Sequence, residues 1–238
     1  MVAEKIAMKE LGIERARHFG WTNTYVFTKA MGEMLLGQLR GSLPLVIARP
    51  TMITSTWKEP FPGWIEGNGT IDNVIVGYAK GILPCIAIDS ELPIDLIPGD
   101  MAVNAMIAMA VAHSNQQAEF IYHISSSMLR LVNCMLCLFP KKYSNLSQRY
   151  GYAMRIVDLY RPYCFVKRCF DDTNLDRLRM ETKKHTENLI FYFDPKDIDW
   201  EEYFYNTHIP GAVKYAAADS VGNIQQLHPI IMDRKSKL

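Results

Sequence analysis

What this 238-residue sequence lacks narrows it first. No stretch of 18 consecutive apolar residues occurs, and a membrane-spanning helix takes about 20. The longest apolar runs, Met101 to Ala112 and Leu129 to Phe139, are interrupted by Asn104 and Asn133 and read as buried core helices. The opening residues carry Glu4, Lys5, Lys9, Glu10, Glu14, Arg15 and Arg17. A secretory signal needs an unbroken apolar stretch there, so secretion is not expected. An excess of one charge is also missing: 26 Lys and Arg stand against 25 Asp and Glu, a formal net charge of +1. That balance argues against attachment to nucleic acid by charge and against a disordered charged tail. The five cysteines are odd in number and scattered, which speaks against a disulfide framework and predicts a reducing compartment. No Gly-x-Ser-x-Gly occurs, which disfavours a serine hydrolase.

What is present reads as an α/β chain. Residues 3–19 have a helical pattern that Gly20 is placed to stop. Residues 25–40 predict a longer helix, with Val26, Met31, Met34, Leu35 and Leu39 near three- and four-residue spacing. Leu43 to Ala48 is a short continuous apolar run, and helix followed by buried strand is the unit of a parallel sheet. A long connection, Arg49 to Gly63, follows with three prolines; such loops in compact α/β domains are usually functional. A helix is expected over 71–80, a strand over 83–88, a helix over 101–112 with Asp100 as N-cap, and a strand over 120–124. Beyond Ser125 helical patterns dominate, near 129–139, 146–160, 173–186 and 198–207, with Pro210-Gly211 closing the last. The expected division is a reductase-type domain over 1–127, a helical domain over 128–215 and a tail over 216–238.

The chemistry-bearing stretch runs from Gly20 to Glu33 and holds Tyr25 and Lys29. Four residues apart on a helix, the two side chains share a face. A free tyrosine titrates near pH 10 and is a poor proton shuttle at neutrality. A neighbouring ammonium favours the phenolate, so the tyrosine can give a proton to a carbonyl oxygen as a hydride reaches the carbon. The lysine can also hydrogen-bond the ribose hydroxyls of a nicotinamide cofactor. Tyr-x-x-x-Lys alone is weak, since any long helix can hold it. Here the helix feeds an apolar strand, and ligands of open α/β sheets bind beyond the carboxyl ends of strands. Pro50, Thr51, Met52, Ile53 and Thr54 would lie there.

The segments NTYVFTKAMGEMLL, LPLVIARPTMITSTWKEPFPGWIEG and TIDNVIVGYAKG resemble the plant alcohol-forming fatty acyl-CoA reductases. The segments MRIVDLYRPY, FDDTNLDRLR, FYFDPKDIDWEEYF and HIPGAVKYA resemble that family's carboxyl-terminal region. The resemblance covers about residues 5–215. It implies the C-terminal part of a Rossmann-like doubly wound parallel sheet, of the extended short-chain dehydrogenase type, followed by a mostly helical domain. It implies NADPH as donor, a long-chain acyl-CoA as substrate, and two-step reduction through the aldehyde to a primary alcohol. By carry-over, Tyr25 and Lys29 match the catalytic pair. Trp57, Phe61 and Trp64, clustered after the nicotinamide-bordering stretch, become candidates for an acyl channel wall, the alternative being ordinary loop anchors.

One departure from the family stands out. Its members open with a strand, a Gly-rich turn and a helix that hold the pyrophosphate. The single Gly-x-Gly here, Gly67-Asn68-Gly69, has Asp72 where the third glycine belongs. A truncated product, inactive alone and acting by association with a full-length reductase, is therefore the rival expectation. The remaining signals are smaller. Cys134 and Cys137 lie in an apolar helical run without further metal ligands, so packing is the better reading and no metal is expected. His123, at the end of an apolar strand, reads as a satisfied core histidine. Peripheral membrane association and oligomeric state stay open. The resemblance implies the cytosolic face of the endoplasmic reticulum or the plastid, whereas the final Ser236-Lys237-Leu238 reads as a peroxisomal address.

Overall fold

The structure is a computed structural model and describes residues 2–67, 69–79, 94–126, 170–185 and 191–216. The expected strand over 83–88, the helices near 129–139 and 146–160, the pair Cys134 and Cys137, and the tail with Ser236-Lys237-Leu238 lie outside these residues. The chain divides into two compact units, Met1–Ile47 with Ala112–Ile121, and Ala48–Val111 with Tyr122–Leu238.

In the first unit, α1 spans Val2–His18 and α2 spans Thr24–Leu39. The turn between them is written locally. Gly20 takes a positive φ of 82°, its N–H bonds the Arg17 carbonyl at 2.9 Å and that of Trp21 bonds the Ala16 carbonyl at 2.8 Å. This is the left-handed helix stop that glycine permits. Asn23 then caps α2, its side chain accepting from the Val26 N–H at 2.9 Å. No residue of α2 is buried, and Met31, Met34, Leu35, Leu36 and Leu39 are all exposed.

Among the described residues, two short sheets carry the strands. β1 (Leu45–Pro50) pairs with β4 (Glu119–Ile124), and β2 (Met52–Thr54) pairs in parallel with β3 (Leu96–Pro98). The sequence predicts a strand ending at Ala48 and then a long loop. Instead the extended chain runs on through Pro50, gives the Thr51 N–H to the Ile124 carbonyl at 3.0 Å, and resumes as β2 against a different partner. The β-branched Ile53 and Thr54 suit that second strand. Asp95, just before β3, accepts the Ser126 N–H at 2.9 Å and its hydroxyl at 3.1 Å, and burial raises this carboxyl above the usual range.

Among the described residues, the second unit includes the helices α3 (Thr70–Ala79), α4 (Gly99–His113, which runs into the first unit) and α5 (Thr173–His185). Asp100 is not the N-cap of α4 but sits in its first turn, and its carboxylate is turned to a neighbouring loop. The core gathers Leu96, Ile97, Met101, Ala102, Ala105, Met109 and Ile124, each 1% exposed or less. His123, expected as a satisfied core histidine, is satisfied but only partly buried: Nδ1 meets the Asp171 carbonyl at 3.0 Å and Nε2 lies 3.4 Å from the Arg49 guanidinium.

After a 3-10 turn at Pro195–Asp197, a terminal helix fills 200–216 in four segments. Trp200–Glu202 is α-helical, Tyr203–His208 π-helical, Ile209–Gly211 α-helical and Ala212–Ala216 π-helical. Asp199 caps it by accepting the Glu202 N–H at 3.1 Å. The sequence ends this helix at Pro210-Gly211, yet it continues through both. Proline is tolerated at the start of a helical segment, and Gly211 is held by packing rather than used as a stop. Ala212 of this helix packs with Ile75 and Val76 of α3, flanked by Ile65, Ile71 and Ile209.

Candidate functional site

Tyr25 and Lys29 stand in the first two turns of α2, in the first unit. Tyr25 is 60% exposed, and the Lys29 ammonium lies over its ring at 5.8 Å from the centroid, near the outer limit of a cation–π contact. The phenol and the ammonium thus stand together on one accessible face, as the four-residue spacing predicts.

The strip Pro50, Thr51, Met52, Ile53 and Thr54 belongs to the second unit. Its side chains divide. Met52 and Ile53 are 40% and 47% exposed, whereas Thr54 is buried. The Thr54 hydroxyl lies 3.3 Å from the Ile97 carbonyl and 2.8 Å from the Tyr203 hydroxyl.

Beyond Thr54 lies a buried polar cluster that motif reading alone does not reveal. The Tyr203 hydroxyl donates to the Ser55 carbonyl at 2.5 Å. The Ser55 N–H donates to Nδ1 of His208 at 3.2 Å, and the Ser55 hydroxyl lies 3.0 Å from the same nitrogen. A backbone donor fixes Nδ1 as an acceptor, so the neutral imidazole carries its proton on Nε2. That nitrogen faces Oδ1 of Asp72 at 3.4 Å, a contact of a neutral imidazole too long to be a good hydrogen bond. The other Asp72 oxygen accepts the Gly69 N–H at 3.1 Å. Burial sets the protonation: it pushes His208 down to about 4 and Asp72 up to about 6, and it raises Tyr203 as well.

Serine, histidine and aspartate in contact invite comparison with a hydrolytic triad. The wiring is reversed, with serine on Nδ1 and carboxylate on Nε2. Ser55, His208 and Asp72 are each 0% exposed, so no substrate carbonyl reaches the hydroxyl. The cluster holds structure together. Its members lie 153 residues apart at the extreme, which is why no local pattern signals it.

The loop after Ser55 is fastened at both ends. Thr56 and Trp64 exchange backbone bonds with the loop, Thr56 N–H to the Trp64 carbonyl at 3.0 Å and Gly63 N–H to the Thr56 carbonyl at 2.9 Å. Asp100 takes the N–H groups of Trp57, Lys58 and Glu59 at 2.8, 2.8 and 3.1 Å. The three aromatic candidates fall into two places. Trp57 lies 5.9 Å from Tyr192 with the Lys58 ammonium over it at 3.8 Å. Phe61 sits beside Trp64 at 6.1 Å and Tyr215 at 5.8 Å.

Among the described residues no helix is long and apolar enough to cross a membrane. Residues 2–106 match the NAD-binding domain, and residues 124–219 the Sterile domain, of the family described as male sterility protein. Similar proteins include fatty acyl-CoA reductase 1 of Arabidopsis thaliana, 44% identical over 87% of this chain and 55% of the relative. The alcohol-forming fatty acyl-CoA reductase of Simmondsia chinensis is 41% identical over 89% and 55%. Fatty acyl-CoA reductase 2 of Bos taurus is 26% identical over 87% and 50%. The chain spans about half the length of the curated relatives it matches. The two matched regions carry one description and together span most of the chain, which belongs by them to the male sterility protein family and is similar in sequence to the fatty acyl-CoA reductases.

Proposed function

We propose that this chain carries the nicotinamide-facing and carboxyl-terminal parts of an NADPH-dependent reductase that converts a long-chain acyl-CoA, through the aldehyde, to a primary alcohol. The observation that carries the reading is the Tyr25–Lys29 pair, exposed on one face of α2, in a chain more than 40% identical to named fatty acyl-CoA reductases. In the first unit, a phenol and an ammonium suit the nicotinamide-ribose end of the cofactor; in the second, Met52 and Ile53 present exposed apolar side chains. The Gly-x-Gly offers the pyrophosphate no free cradle, since the Gly69 amide is spent on Asp72.

NADPH supplies the hydride when bound. Tyr25 holds a proton on its phenolic oxygen and gives it to the carbonyl oxygen as that oxygen gains charge. Lys29 presents its ammonium beside the phenol and to the ribose hydroxyls. In the second unit, Pro50 to Thr54 are the stretch offered to the nicotinamide, and Trp57, Phe61 and Trp64 are offered as apolar wall for the acyl chain. The test is incubation of the folded chain with NADPH and palmitoyl-CoA, with products read by gas chromatography. Hexadecanol from the wild type and none from Tyr25→Phe is the expected result. Hexadecanol formed equally by both overturns the role of Tyr25, and none from either overturns independent turnover.

A second reading has its own observation. α2 buries none of its residues and exposes Met34, Leu35, Leu36 and Leu39, an apolar face of the kind that marks interaction sites. Under this reading the chain acts by associating with a full-length reductase polypeptide. Co-purification with such a reductase that Leu35→Glu and Leu39→Glu abolish supports it.

A further inference from the structure

The ladder between β2 and β3 ends at the pair Thr54 and Pro98, and proline has no N–H with which to extend it. At the next residue, Ser55, side chains of the terminal helix take over. The Ser55 carbonyl receives the Tyr203 hydroxyl at 2.5 Å, and its N–H is received by His208 Nδ1 at 3.2 Å. Both main-chain groups of Ser55 are thus held as a neighbouring strand would hold them. The Thr54 hydroxyl joins through Tyr203 at 2.8 Å.

The helix geometry makes this possible. Tyr203 and His208 are five residues apart, a spacing that points to different faces in an α-helix. The wider π turn over Tyr203–His208 brings them onto nearly one face, with rings stacked 5.9 Å apart and 16° from parallel. Such π segments recur where a helix must aim side chains at a working site. A second fastening lies nearby, where the backbones of Gly63 and Gly211 touch.

From this geometry we infer that Tyr203 and His208 are positioning residues, which fix the end of β2 and thereby set the strip Pro50 to Thr54 against the nicotinamide. The matched Sterile region, 124–219, supplies them, and the matched NAD-binding region, 2–106, holds the strip they set. The inference rests on the reductase reading above.

Two near-isosteric variants separate this role from a merely structural one. His208→Asn keeps a polar group where Nδ1 stood and so keeps an acceptor for Ser55. His208→Gln keeps one where Nε2 stood, facing Asp72, and gives up Ser55. Tyr203→Phe keeps the ring and loses the tie to the carbonyl. Hydrogen exchange at the Ser55 amide, read residue by residue by NMR on the nucleotide-free chain, is measured beside NADPH affinity. Exchange about tenfold faster, and affinity about tenfold weaker, are expected in His208→Gln. The affinity loss recurs in Tyr203→Phe, while His208→Asn stays near wild type in both. Unchanged Ser55 exchange in His208→Gln overturns the tie. Faster exchange with unchanged NADPH affinity overturns the positioning role and leaves the reductase reading intact. A wild-type chain that is folded and binds no NADPH overturns the reductase reading, and with it the role built on it.

Discussion

Gly211 meets Gly63 backbone to backbone: a Cβ built on Gly211 would stand 1.9 Å from the Gly63 carbonyl oxygen and 2.8 Å from its Cα. Gly63 has a φ of +80°, and a Cβ there would lie 2.8 Å from the Thr207 carbonyl. Only two glycines allow the loop over 56–64 and the terminal helix to approach this closely. Gly211→Ala therefore forces rigid backbone apart and is expected to cost more than about 3 kcal/mol in thermal or urea unfolding. Gly20→Ala, where φ is +82° but nothing lies within 4 Å, should cost only about 1 kcal/mol. Gly32→Ala, in the open interior of α2, should stabilise by about 1 kcal/mol. Equal effects at the three positions would contradict the close approach.

Asp72 and His208 make opposite contributions to the pH dependence of stability. Asp72 is raised from 3.8 to about 6, so its contribution is full below pH 3.8 and is lost as pH rises to about 6. His208 is lowered from 6.5 to about 4, so the cost of charging it is full below pH 4 and is relieved as pH rises to 6.5. In the wild type the two slopes largely cancel between about pH 4 and 6. Asp72→Asn leaves only the histidine slope, and stability then increases with pH across 4 to 6.5. His208→Gln leaves only the carboxylate slope, and stability decreases across 3.8 to 6. Each slope is worth on the order of 3 kcal/mol. Denaturant titrations at a series of pH values read both signs, and slopes of the same sign in the two variants would be incompatible with this wiring.

The Asp100 carboxylate collects three N–H groups from residues 57–59. Asp100→Ala leaves all three without that acceptor, a loss of about 2 kcal/mol after exchange with water. Lys58 offers a direct probe, since trypsin cleaves after lysine. Cleavage at Lys58 is expected to quicken in Asp100→Ala relative to the wild type while cleavage within α1 stays the same. An unchanged Lys58 rate would mean that Asp100 does not fasten the loop.

The features legible in the sequence are those written locally. Gly20 marks the end of α1 because a left-handed stop needs only a few neighbouring residues. Leu43 to Ala48 announces a strand by its apolar run, which β1 takes up from Leu45, and the face shared by Tyr25 and Lys29 follows from helix periodicity alone. The cluster of Ser55, Asp72, Tyr203 and His208 is invisible by the same logic, because its spacing is set by the fold and not by any element. Pro210-Gly211 reads as a helix end since both residues are local breakers. The packing of Gly211 on Gly63 overrides that signal. Met52 to Thr54 reads as loop because three residues are too few to show a period, and the β3 partner decides.

The central claim is that Tyr25 and Lys29 form the nicotinamide-ribose contact of a reductase. Its most direct test is fluorescence titration of the folded 238-residue chain with NADPH, beside Tyr25→Phe and Lys29→Ala. The account predicts saturable binding in the wild type that weakens about tenfold on loss of the ammonium and by less on loss of the phenolic hydroxyl. Binding that neither substitution changes, or no binding by a chain shown to be folded, would contradict it.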